Sequence, residues 1–397
     1  MFADAKPVPP DAILGLSIAY AADTRSDKID LGVGVYRTIE GQTPVMAAVK
    51  KAEGFVLENQ DSKRYTPPEG APGFTDRILK LVFDENSPTI QMGRAAAVQA
   101  PGGCGALRLA ADLLKRFGAK TISTGAPTWA NHKPLMGAAG YEIKMLPYYD
   151  AASSSIDFDA YVSAVKKLGP DDVLLIHNCC HNPTGADLTE AQIDILADMA
   201  KEQKFFPLID AAYHGFAKNL DADAYMIRKF AETVPETLIT YSCSKNFGLY
   251  RERVGALIVV SENAERATAI KSHALNIARA NYSMPPAHGG AIVSEILGSD
   301  DLTKMWREEL DAMASEVRGN RKLLVAEAEK AGLGNRLSYI ADQHGMFSLL
   351  PLSDEEVLKI RVDHGVYIVG GGRINMCGVN HTNVERLVAA FKAVSQG

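Results

Sequence analysis

The sequence lacks any apolar run near the roughly 20 residues that a membrane-spanning helix needs, and its first seven residues contain no apolar signal core. A membrane protein is therefore not expected. Neither sign of charge is in large excess, since the formal net charge is −6 over 397 residues. Such a small excess gives no indication of a nucleic-acid or membrane-surface partner.

Cysteine is scarce as well, with five residues and no Cys-x-x-Cys spacing. This odd number argues against a disulfide framework and favours a reduced, cytoplasmic compartment. The segment 177–182 contains two histidines and two cysteines, which are side chains that can act as metal ligands. No metal site is expected, however, because no second ligand pair occurs elsewhere and adjacent side chains on a strand would point to opposite faces.

The chain is long enough for two domains, and its apolar content of 47% is ordinary for a soluble globular protein. Strand-like apolar segments alternate with helical patterns over most of its length. This alternation predicts an α/β fold with a mostly parallel sheet covered by helices on both faces, and ligands bind such sheets at the carboxyl ends of the strands. The strand-like segments lie near 97–100, 121–123, 141–146, 173–176, 205–209, 237–241 and 254–260.

A long helical pattern at 302–332 is predicted to link two domains. Residues 45–312 then form a large domain, and residues 313–397, joined by 16–44, form a smaller α+β domain. The Pro-rich residues 1–15 are predicted to be an extended arm that docks on another surface, with a frayed terminus as the alternative.

The stretch from Asp210 to Arg253 carries the groups best suited to chemistry. Asp210 ends an apolar run and Tyr213 follows it, whereas a second apolar run leads directly to Lys245. A lysine at the end of a buried strand is either paired or a nucleophile with a lowered pKa. The carboxylate of Asp210 is either a helix cap or the partner of a protonated ring nitrogen.

Two glycine-containing segments are candidate ligand contacts. Residues 101–105 are predicted to form a glycine-rich turn before a helix that begins at Ala106. Such a turn is either an anion site at a helix N-terminus or a tight turn without a ligand. Gly34, in Gly32-x-Gly34, either lets the backbone approach a ligand or marks a strand with a bulge.

Four further side chains are individually weak candidates. Trp129, on a loop, is either a packing anchor or a flat wall for a planar ligand. Asn182 sits in an Asn-Pro-x-Gly turn from which its side chain can reach a cleft. Arg279 and Arg373 are suited to gripping a carboxylate, although most arginines do not do so.

Taken together, the segments resemble the pyridoxal-phosphate-dependent aspartate and aromatic aminotransferases of class I, fold type I. The resemblance covers essentially the whole chain, and it implies a mostly parallel seven-stranded-type sheet in the large domain. The motifs that carry it are Leu31–Tyr36, Cys180–Gly185, Asp210–Tyr213, Ser242–Arg253, Ala280–Ser283 and Gly345–Ser348.

The resemblance implies a role in cofactor binding for each of several residues. Lys245 bonds covalently to pyridoxal 5′-phosphate and then moves a proton. Asp210 pairs with the pyridine nitrogen, Tyr213 and Asn182 bond the ring oxygen, and Trp129 stacks on the ring. The phosphate would be held by Gly103, Cys104, Ser242, Ser244 and Arg253, with Tyr65 reaching it from the other subunit.

The resemblance also implies the substrate contacts and the assembly. Arg373 grips the α-carboxylate beside the Gly34 backbone, Asn182 and Trp129, whereas Arg279 comes from the other subunit and binds a distal carboxylate. The chain would therefore be a homodimer with shared active sites, which would give the N-terminal arm a docking surface. The implied reaction is ping-pong transfer of the α-amino group of Tyr, Phe, Trp or Asp to 2-oxoglutarate.

Two positions depart from the usual aspartate-specific pattern. Cys104 stands where the family usually has Thr or Ser, and Met284 stands where aspartate-specific members tend to have Asn. Met284 favours a specificity that includes aromatic substrates, with a strict aspartate aminotransferase as the alternative. A catalytically silent binding protein and, because of Gly32-x-Gly34, a nicotinamide dehydrogenase are the rivals from other classes.

Overall fold

A seven-stranded sheet forms the centre of the molecule in the computed structural model, which describes residues 2, 4–8 and 12–395. Its order is β2-β10-β9-β8-β7-β3-β4, and β10 runs antiparallel to both of its neighbours while the other pairs are parallel. The predicted mostly parallel sheet is therefore confirmed. In chain order the strands are β1 (Ile29–Asp30), β2 (Ala95–Pro101), β3 (Thr121–Ala126), β4 (Ile143–Pro147), β5 (Tyr149–Asp150), β6 (Ser155–Ile156), β7 (Asp172–His177), β8 (Phe206–Ala211), β9 (Thr237–Ser242), β10 (Val254–Val260), β11 (Phe347–Leu349), β12 (Val366–Tyr367) and β13 (Arg373–Asn375).

Alternate residues of the buried strands belong to two different hydrophobic cores. In β7, Leu174 and Ile176 pack in one core, whereas Val173 and Leu175 pack in the other. Successive side chains of a strand point to opposite faces, so both faces of the sheet are covered. This explains why the strands appear in the sequence as continuous apolar runs rather than as an alternating pattern.

Helices supply the covering layers on the two faces. Helix α5 packs on β9 and β10, whereas α3 and α11 pack on β2. In chain order the helices are α1 (Ala12–Ala22), α2 (Ala47–Asn59), α3 (Phe74–Phe83), α4 (Pro88–Gln91), α5 (Gly102–Arg116), α6 (His132–Ala138), α7 (Phe158–Val165), α8 (Glu190–Gln203), α9 (Leu220–Asp223), α10 (Tyr225–Thr233), α11 (Ala264–Asn281), α12 (Ala287–Gly298), α13 (Asp300–Lys330), α14 (Gly334–Leu337), α15 (Asp354–His364) and α16 (Val384–Ser395).

Two helices, α8 and α15, begin at capping boxes. At the start of α8, the Thr189 hydroxyl accepts the Gln192 N–H at 3.3 Å and the Gln192 side chain accepts the Thr189 N–H at 2.9 Å. Ser353 and Glu356 make the same reciprocal pair at the start of α15. Each box satisfies two backbone donors that would otherwise lack partners in the first turn.

The helix predicted over 302–332 is α13, and it contacts elements from both ends of the chain. It packs against α2 and α12 on one side and against α14 and α16 on the other. Strand β1 pairs in parallel with β12, so that Ile29 lies beside Val366. The segment that follows β1 is thereby brought to the C-terminal part of the chain.

Three local predictions need correction. The turn predicted at 101–105 is the first turn of α5, although Gly102, with φ of 71°, lies outside the helical region itself. The arm predicted to be extended through residue 15 is helical from Ala12, and residues 9–11 lie outside the described part. The strand with a bulge considered at Gly32-x-Gly34 forms only at Ile29–Asp30, before both glycines.

Within residues 12–395, none of the helices is both long enough and apolar enough to cross a bilayer.

Candidate active site

A cavity of about 220 Å³ lies where the carboxyl ends of β2, β7, β8 and β9 meet. It contains every site residue that the sequence assigns to the same chain. Because β10 runs in the opposite direction, its amino end lies at this same edge and brings Arg253 there. The cavity is lined by Ile13, Gly34, Gly103, Cys104, Leu107, Trp129, His177, Asn182, Asp210, Ala212, Tyr213, Ser242, Ser244, Lys245, Arg253, Phe347 and Arg373.

Asp210, near the end of β8, is a buried carboxylate held by two hydrogen-bond donors. Its Oδ2 lies 3.2 Å from Nε2 of His132, and its Oδ1 accepts the Thr240 hydroxyl at 3.0 Å. Burial raises the pKa of Asp210, but the hydrogen bonds from His132 and Thr240 outweigh burial and leave the pKa below its usual value. The group is therefore an anion inside the protein, facing the cavity.

A chain of polar groups extends from Asp210 into the protein. The Thr128 hydroxyl lies 2.8 Å from Nδ1 of His132 and 2.9 Å from Nε2 of His177. Burial lowers the pKa of His177 to about 3, so its ring is neutral. An arrangement in which His177 donates to Thr128, Thr128 to His132 and His132 to Asp210 satisfies every member and orients the carboxylate.

Lys245 follows β9, and its amine lies at the middle of the cavity. The Nζ atom is 5.6 Å from the ring centre of Tyr213 and 5.5 Å from that of Tyr250. Burial, reinforced by the positive charge of Arg253, lowers the pKa of Lys245 to about 8. A substantial fraction of the amine is therefore neutral near physiological pH, which is the form that attacks a carbonyl carbon.

One end of the cavity is built to hold an anion. The first N–H groups of α5, at Gly103 and Cys104, have no acceptors within the helix, and the helix dipole adds partial positive charge. Arg253 donates to the Ser244 hydroxyl at 3.5 Å and to the Tyr250 carbonyl at 2.8 Å. Gly102 has a φ of 71°, which residues with a Cβ rarely adopt, and a Cβ there would also displace the Arg253 guanidinium, so glycine suits this position.

Cys104 contributes a thiol, not a hydroxyl, to this end. Its Sγ lies 3.7 Å from the amide nitrogen of Asn131, which donates to it. A thiol is a weak donor, so position 104 offers an anion less than a threonine or serine would.

The opposite end is built around the buried guanidinium of Arg373, the first residue of β13. Its Nη2 donates to the Gly32 carbonyl at 2.8 Å and its Nη1 to the Asn182 side chain at 3.4 Å. The guanidinium also lies 4.5 Å from the ring centre of Phe347. A Cβ at Gly34 would lie 3.0 Å from that ring, so glycine lets the segment pack closely beside it.

Two aromatic side chains border the cavity between these ends. Tyr213 is buried, which raises the pKa of its hydroxyl, although the charge of Arg373 opposes the rise. Its hydroxyl is therefore protonated and can donate a hydrogen bond. Trp129 packs edge to face against His132, with ring centres 5.3 Å apart.

Tyr65 and Arg279, which the sequence assigns to a neighbouring subunit, do not line the cavity of their own chain. Tyr65 is 88% exposed, and Arg279 lies on the surface with its guanidinium bonded to the Ser283 hydroxyl. The Thr66 hydroxyl lies 3.7 Å from the sulfur of Met284, so the two surface segments are adjacent.

Sequence reasoning missed His132, Thr240 and Phe347. His132 lies on the short helix α6 and Thr240 on β9, and each meets the Asp210 carboxylate only through tertiary packing. A usable signal existed for Thr240, since β8 and β9 are neighbours and Thr240 is paired directly with Asp210. No local pattern marks His132, whereas Phe347 lies in the motif Gly345–Ser348, which carries the resemblance but assigns Phe347 no role.

The pair Cys179 and Cys180 lies in the bend after β7, not on a strand as the sequence argument assumed. Both thiols are buried, and Cys180 has a φ of 55°. Across residues 12–395 and the few described before them, no group of three or more His, Cys, Asp or Glu side chains is arranged to hold a metal ion.

A larger cavity, of about 470 Å³, lies at the opposite edge of the sheet between the end of α5 and α11. Its walls are mainly apolar, and its Glu236 and Arg266 side chains lie 3.7 Å apart as an ion pair. The smaller cavity, which places a nucleophilic amine between an anion site and a guanidinium, is the better candidate for chemistry.

The side chains of the smaller cavity fit pyridoxal 5′-phosphate. The N–H groups of α5 with Arg253 suit the phosphate, the Asp210 anion suits a protonated pyridine nitrogen, and the Lys245 amine between them suits the aldehyde. The close approach of Gly102 to Arg253 is an independent structural sign that this end is shaped for a tightly held anion.

Comparison with known proteins agrees with this geometry. The sequence model of the family "Aminotransferase class I and II" matches residues 26–391. The chain is 43% identical to aspartate aminotransferase of Salmonella typhi over 99% of this chain and 100% of that protein, and 44% identical to tyrosine aminotransferase of Rhizobium meliloti over 97% of each. Its structure matches an aromatic-amino-acid aminotransferase of Burkholderia pseudomallei, covalently bound to pyridoxal phosphate, with a TM-score of 0.96, 38% identity and 99% coverage of both chains. The chain therefore belongs to the class I and II aminotransferases, and it is a pyridoxal-phosphate-dependent aminotransferase.

Proposed function

We propose that the protein transfers the α-amino group of aromatic and dicarboxylic L-amino acids (Tyr, Phe, Trp and Asp) to 2-oxoglutarate by a ping-pong mechanism. The observation that carries this proposal is the pairing of a buried guanidinium, Arg373, with apolar walls from Ile13, Leu107 and Phe347. The guanidinium suits the α-carboxylate common to all these substrates, and the apolar walls suit an aromatic side chain. Relatives named for aspartate and for tyrosine support the same range.

The residues proposed to hold the cofactor divide between its two ends. When bound, pyridoxal phosphate supplies an aldehyde for covalent attachment and a ring that delocalises the charge left when a proton departs. Asp210 keeps the ring nitrogen protonated, while Tyr213 and Asn182 hydrogen-bond the ring oxygen and Trp129 covers the ring face. The phosphate is held by Gly103, Cys104, Ser242, Ser244 and Arg253, with Tyr65 of the partner subunit.

Lys245 is proposed to act first as the attachment point and then as the general base that moves the proton at the substrate Cα. Its pKa of about 8 leaves the free amine partly neutral, and a base with a pKa near the working pH is most effective. Arg373, Asn182 and the Gly34 backbone orient the substrate so that its Cα proton faces this amine.

The Cys104→Thr variant should retain the cofactor more tightly than the wild type. A threonine hydroxyl donates a stronger hydrogen bond to phosphate than a thiol does, and one such bond changes the dissociation constant by roughly 3- to 10-fold. The measurement is a fluorescence titration of the cofactor-free protein with pyridoxal phosphate. Cys104→Ala, which offers no donor, serves as the matched control and should bind no more tightly than the wild type; equal affinity of the wild type and Cys104→Thr would contradict the expectation.

The proposed assembly is a homodimer in which each active site uses residues of both chains. Tyr65 is 88% exposed and Arg279 lies on the surface, so neither reaches the cavity of its own chain. A tyrosine hydroxyl and a guanidinium can nevertheless bond the phosphate and carboxylate groups that the site is proposed to hold. The contact of Thr66 with Met284 unites their two segments into one surface. We propose that this surface completes the site of the other subunit, with Tyr65 at the phosphate and Arg279 at a distal carboxylate.

The domain organisation that accompanies this function is also a proposal. Residues 45–312 form the large domain, whereas 16–44 and 313–397 form the small domain, and residues 1–15 dock on the partner subunit. The pairing of β1 with β12 supports the return of the N-terminal segment to the small domain. The five cysteines are free thiols, which supports a reduced, cytoplasmic location.

Substrate range is tested by measuring kcat/KM for L-aspartate and L-phenylalanine with 2-oxoglutarate as acceptor. The proposal expects both values to lie within about 10²-fold of each other, since Met284 places an apolar side chain beside Arg279 in place of a second polar group. Met284→Asn is the matched variant, and it should shift the preference towards aspartate. A preference of several thousand-fold for aspartate in the wild type would favour the alternative, a strict aspartate aminotransferase. That alternative is supported by Arg279 and by the similarity to the aspartate aminotransferase of Salmonella typhi.

A further inference from the structure

The segment 32–36 forms the substrate-side wall of the cavity and is held mainly by polar contacts from the C-terminal part of the chain. Arg373 donates to the Gly32 carbonyl at 2.8 Å, and the Asn375 side chain donates to the carbonyls of Val33 at 2.5 Å and Val35 at 2.8 Å. Gly34 itself lines the cavity. The segment contains little regular structure, so these bonds determine where its backbone lies.

One further bond reaches this segment from the loop that carries Lys245. The backbone N–H of Tyr36 donates to the hydroxyl of Tyr250 at 2.8 Å, across a separation of 214 residues. Tyr36 is itself 6% exposed, so its N–H has little access to water. Loss of the Tyr250 hydroxyl would leave a nearly buried donor without its partner.

Tyr250 also contacts both cationic groups of the cofactor side. The ring of Tyr250 lies 5.5 Å from Nζ of Lys245, and the carbonyl of Tyr250 accepts Nη1 of Arg253 at 2.8 Å. A single side chain therefore touches the reactive amine with its ring and the substrate-side wall with its hydroxyl. Its backbone meanwhile fixes the arginine at the anion end.

Tyr141 is a buried tyrosine whose hydroxyl donates to the Ala119 carbonyl at 3.2 Å, and neither of these residues lines the cavity. Tyr250 differs because its bond joins the loop that carries Lys245 to the segment that carries Gly34, and both of these residues line the cavity. The loop after β9 and the segment 32–36 belong to distant parts of the chain, yet their relative position sets the distance between Lys245 and the substrate.

We propose that Tyr250 is a positioning residue for the reaction, whose hydroxyl fixes the segment 32–36 at the distance from Lys245 that the bound amino acid requires. This inference rests on the proposed function, since it assigns Gly34 and its neighbours to the substrate. The ring and the hydroxyl have separable tasks: the ring packs against the lysine amine, and the hydroxyl holds the substrate-side wall.

The test uses the cofactor-loaded enzyme and the variant Tyr250→Phe, which keeps the ring and removes the hydroxyl. The KM for the amino acid should rise about 3- to 10-fold, the effect of one hydrogen bond, whereas kcat should change less than about 2-fold. Tyr141→Phe is the matched control, because it also loses one hydroxyl-to-backbone bond but in another part of the fold, and its KM should not change.

A second readout does not depend on activity. In hydrogen–deuterium exchange of the loaded enzyme, a peptide that covers residues 31–37 should exchange faster in Tyr250→Phe, while a peptide that covers β8 should not. Unchanged KM and unchanged exchange at 31–37 in an otherwise active variant would overturn the inference. An equal loss of kcat in Tyr250→Phe and Tyr141→Phe would overturn it too, since that result would mean a general loss of stability. If the wild type transaminates none of the proposed amino acids while Tyr250→Phe still exchanges faster at 31–37, the assignment of the segment to the substrate would be overturned.

Discussion

Replacing Lys245 by alanine should lower kcat/KM by at least about 10⁴-fold, which is the upper range for removal of a positioned general base. The variant should also lose the near-ultraviolet to visible absorbance of the lysine-linked cofactor. Both effects have one cause, because the same amine forms the covalent link and moves the proton. Among the residues that the structure describes, Lys245 is the only lysine that lines the cavity.

The lowered pKa of Lys245 gives this prediction a pH dependence. Burial and the charge of Arg253 bring the pKa to about 8, so the neutral amine becomes the main form above that pH. The rate at which the cofactor-free protein takes up pyridoxal phosphate should therefore rise with pH and level off above about 8, two units below the value for an exposed lysine near 10.4. Stopped-flow absorbance measures this rate.

Lys245→Arg is the control for charge alone, since it keeps a cation at the site but offers no nucleophilic amine. It should be as inactive as Lys245→Ala. Retention of more than about one hundredth of the wild-type kcat/KM in either variant, after removal of contaminating activity, would contradict the assigned role.

Replacing Arg373 by alanine should lower kcat/KM by roughly 10²- to 10³-fold through a rise in KM. The guanidinium is 6% exposed and packs on Phe347, so its interaction with a carboxylate is poorly screened by water. Two parallel charge-assisted hydrogen bonds contribute about 3 to 4 kcal/mol together, which corresponds to that loss. Steady-state kinetics with aspartate and phenylalanine measures it, and both substrates should lose equally because both carry the α-carboxylate.

The matched variant Arg373→Lys keeps the charge but not the planar fork. It should recover only part of the loss, because one ammonium group cannot bond the carboxylate, the Gly32 carbonyl and Asn182 with the same geometry. Full recovery in Arg373→Lys would mean that charge alone, and not bidentate geometry, governs binding. A loss confined to one substrate would place the carboxylate elsewhere.

The sequence predicts the strand-end residues of the site well, and the physical reason is local. Asp210, Ser242 and Lys245 end or follow continuous apolar runs, and parallel strands bring their carboxyl ends to one edge of a sheet. Their convergence in one cavity thus follows from strand periodicity and the α/β pattern.

The contacts that tune these residues are tertiary, and no local pattern contains them. His132 meets Asp210 across 78 residues, and Arg373 meets Gly32 across 341 residues. Propensity was misleading at the start of α5, because glycine disfavours helices by about 1 kcal/mol. The helix nevertheless begins at Gly102, so these glycines belong to its first turn.

The reversed direction of β10 has a consequence for how the site forms. Since β9 and β10 are adjacent and antiparallel, Ser242 pairs with Gly255, and the Cys243 N–H bonds the Val254 carbonyl at 3.0 Å. Lys245 and Arg253 therefore sit in a short closed loop, whereas a parallel β10 would have required a long crossover that carries the chain to the far edge. The part of the site that contains Lys245 and Arg253 consequently has low contact order and can form as soon as β9 and β10 pair. Arg373 joins the site only when a segment more than 100 residues further along the chain packs against it.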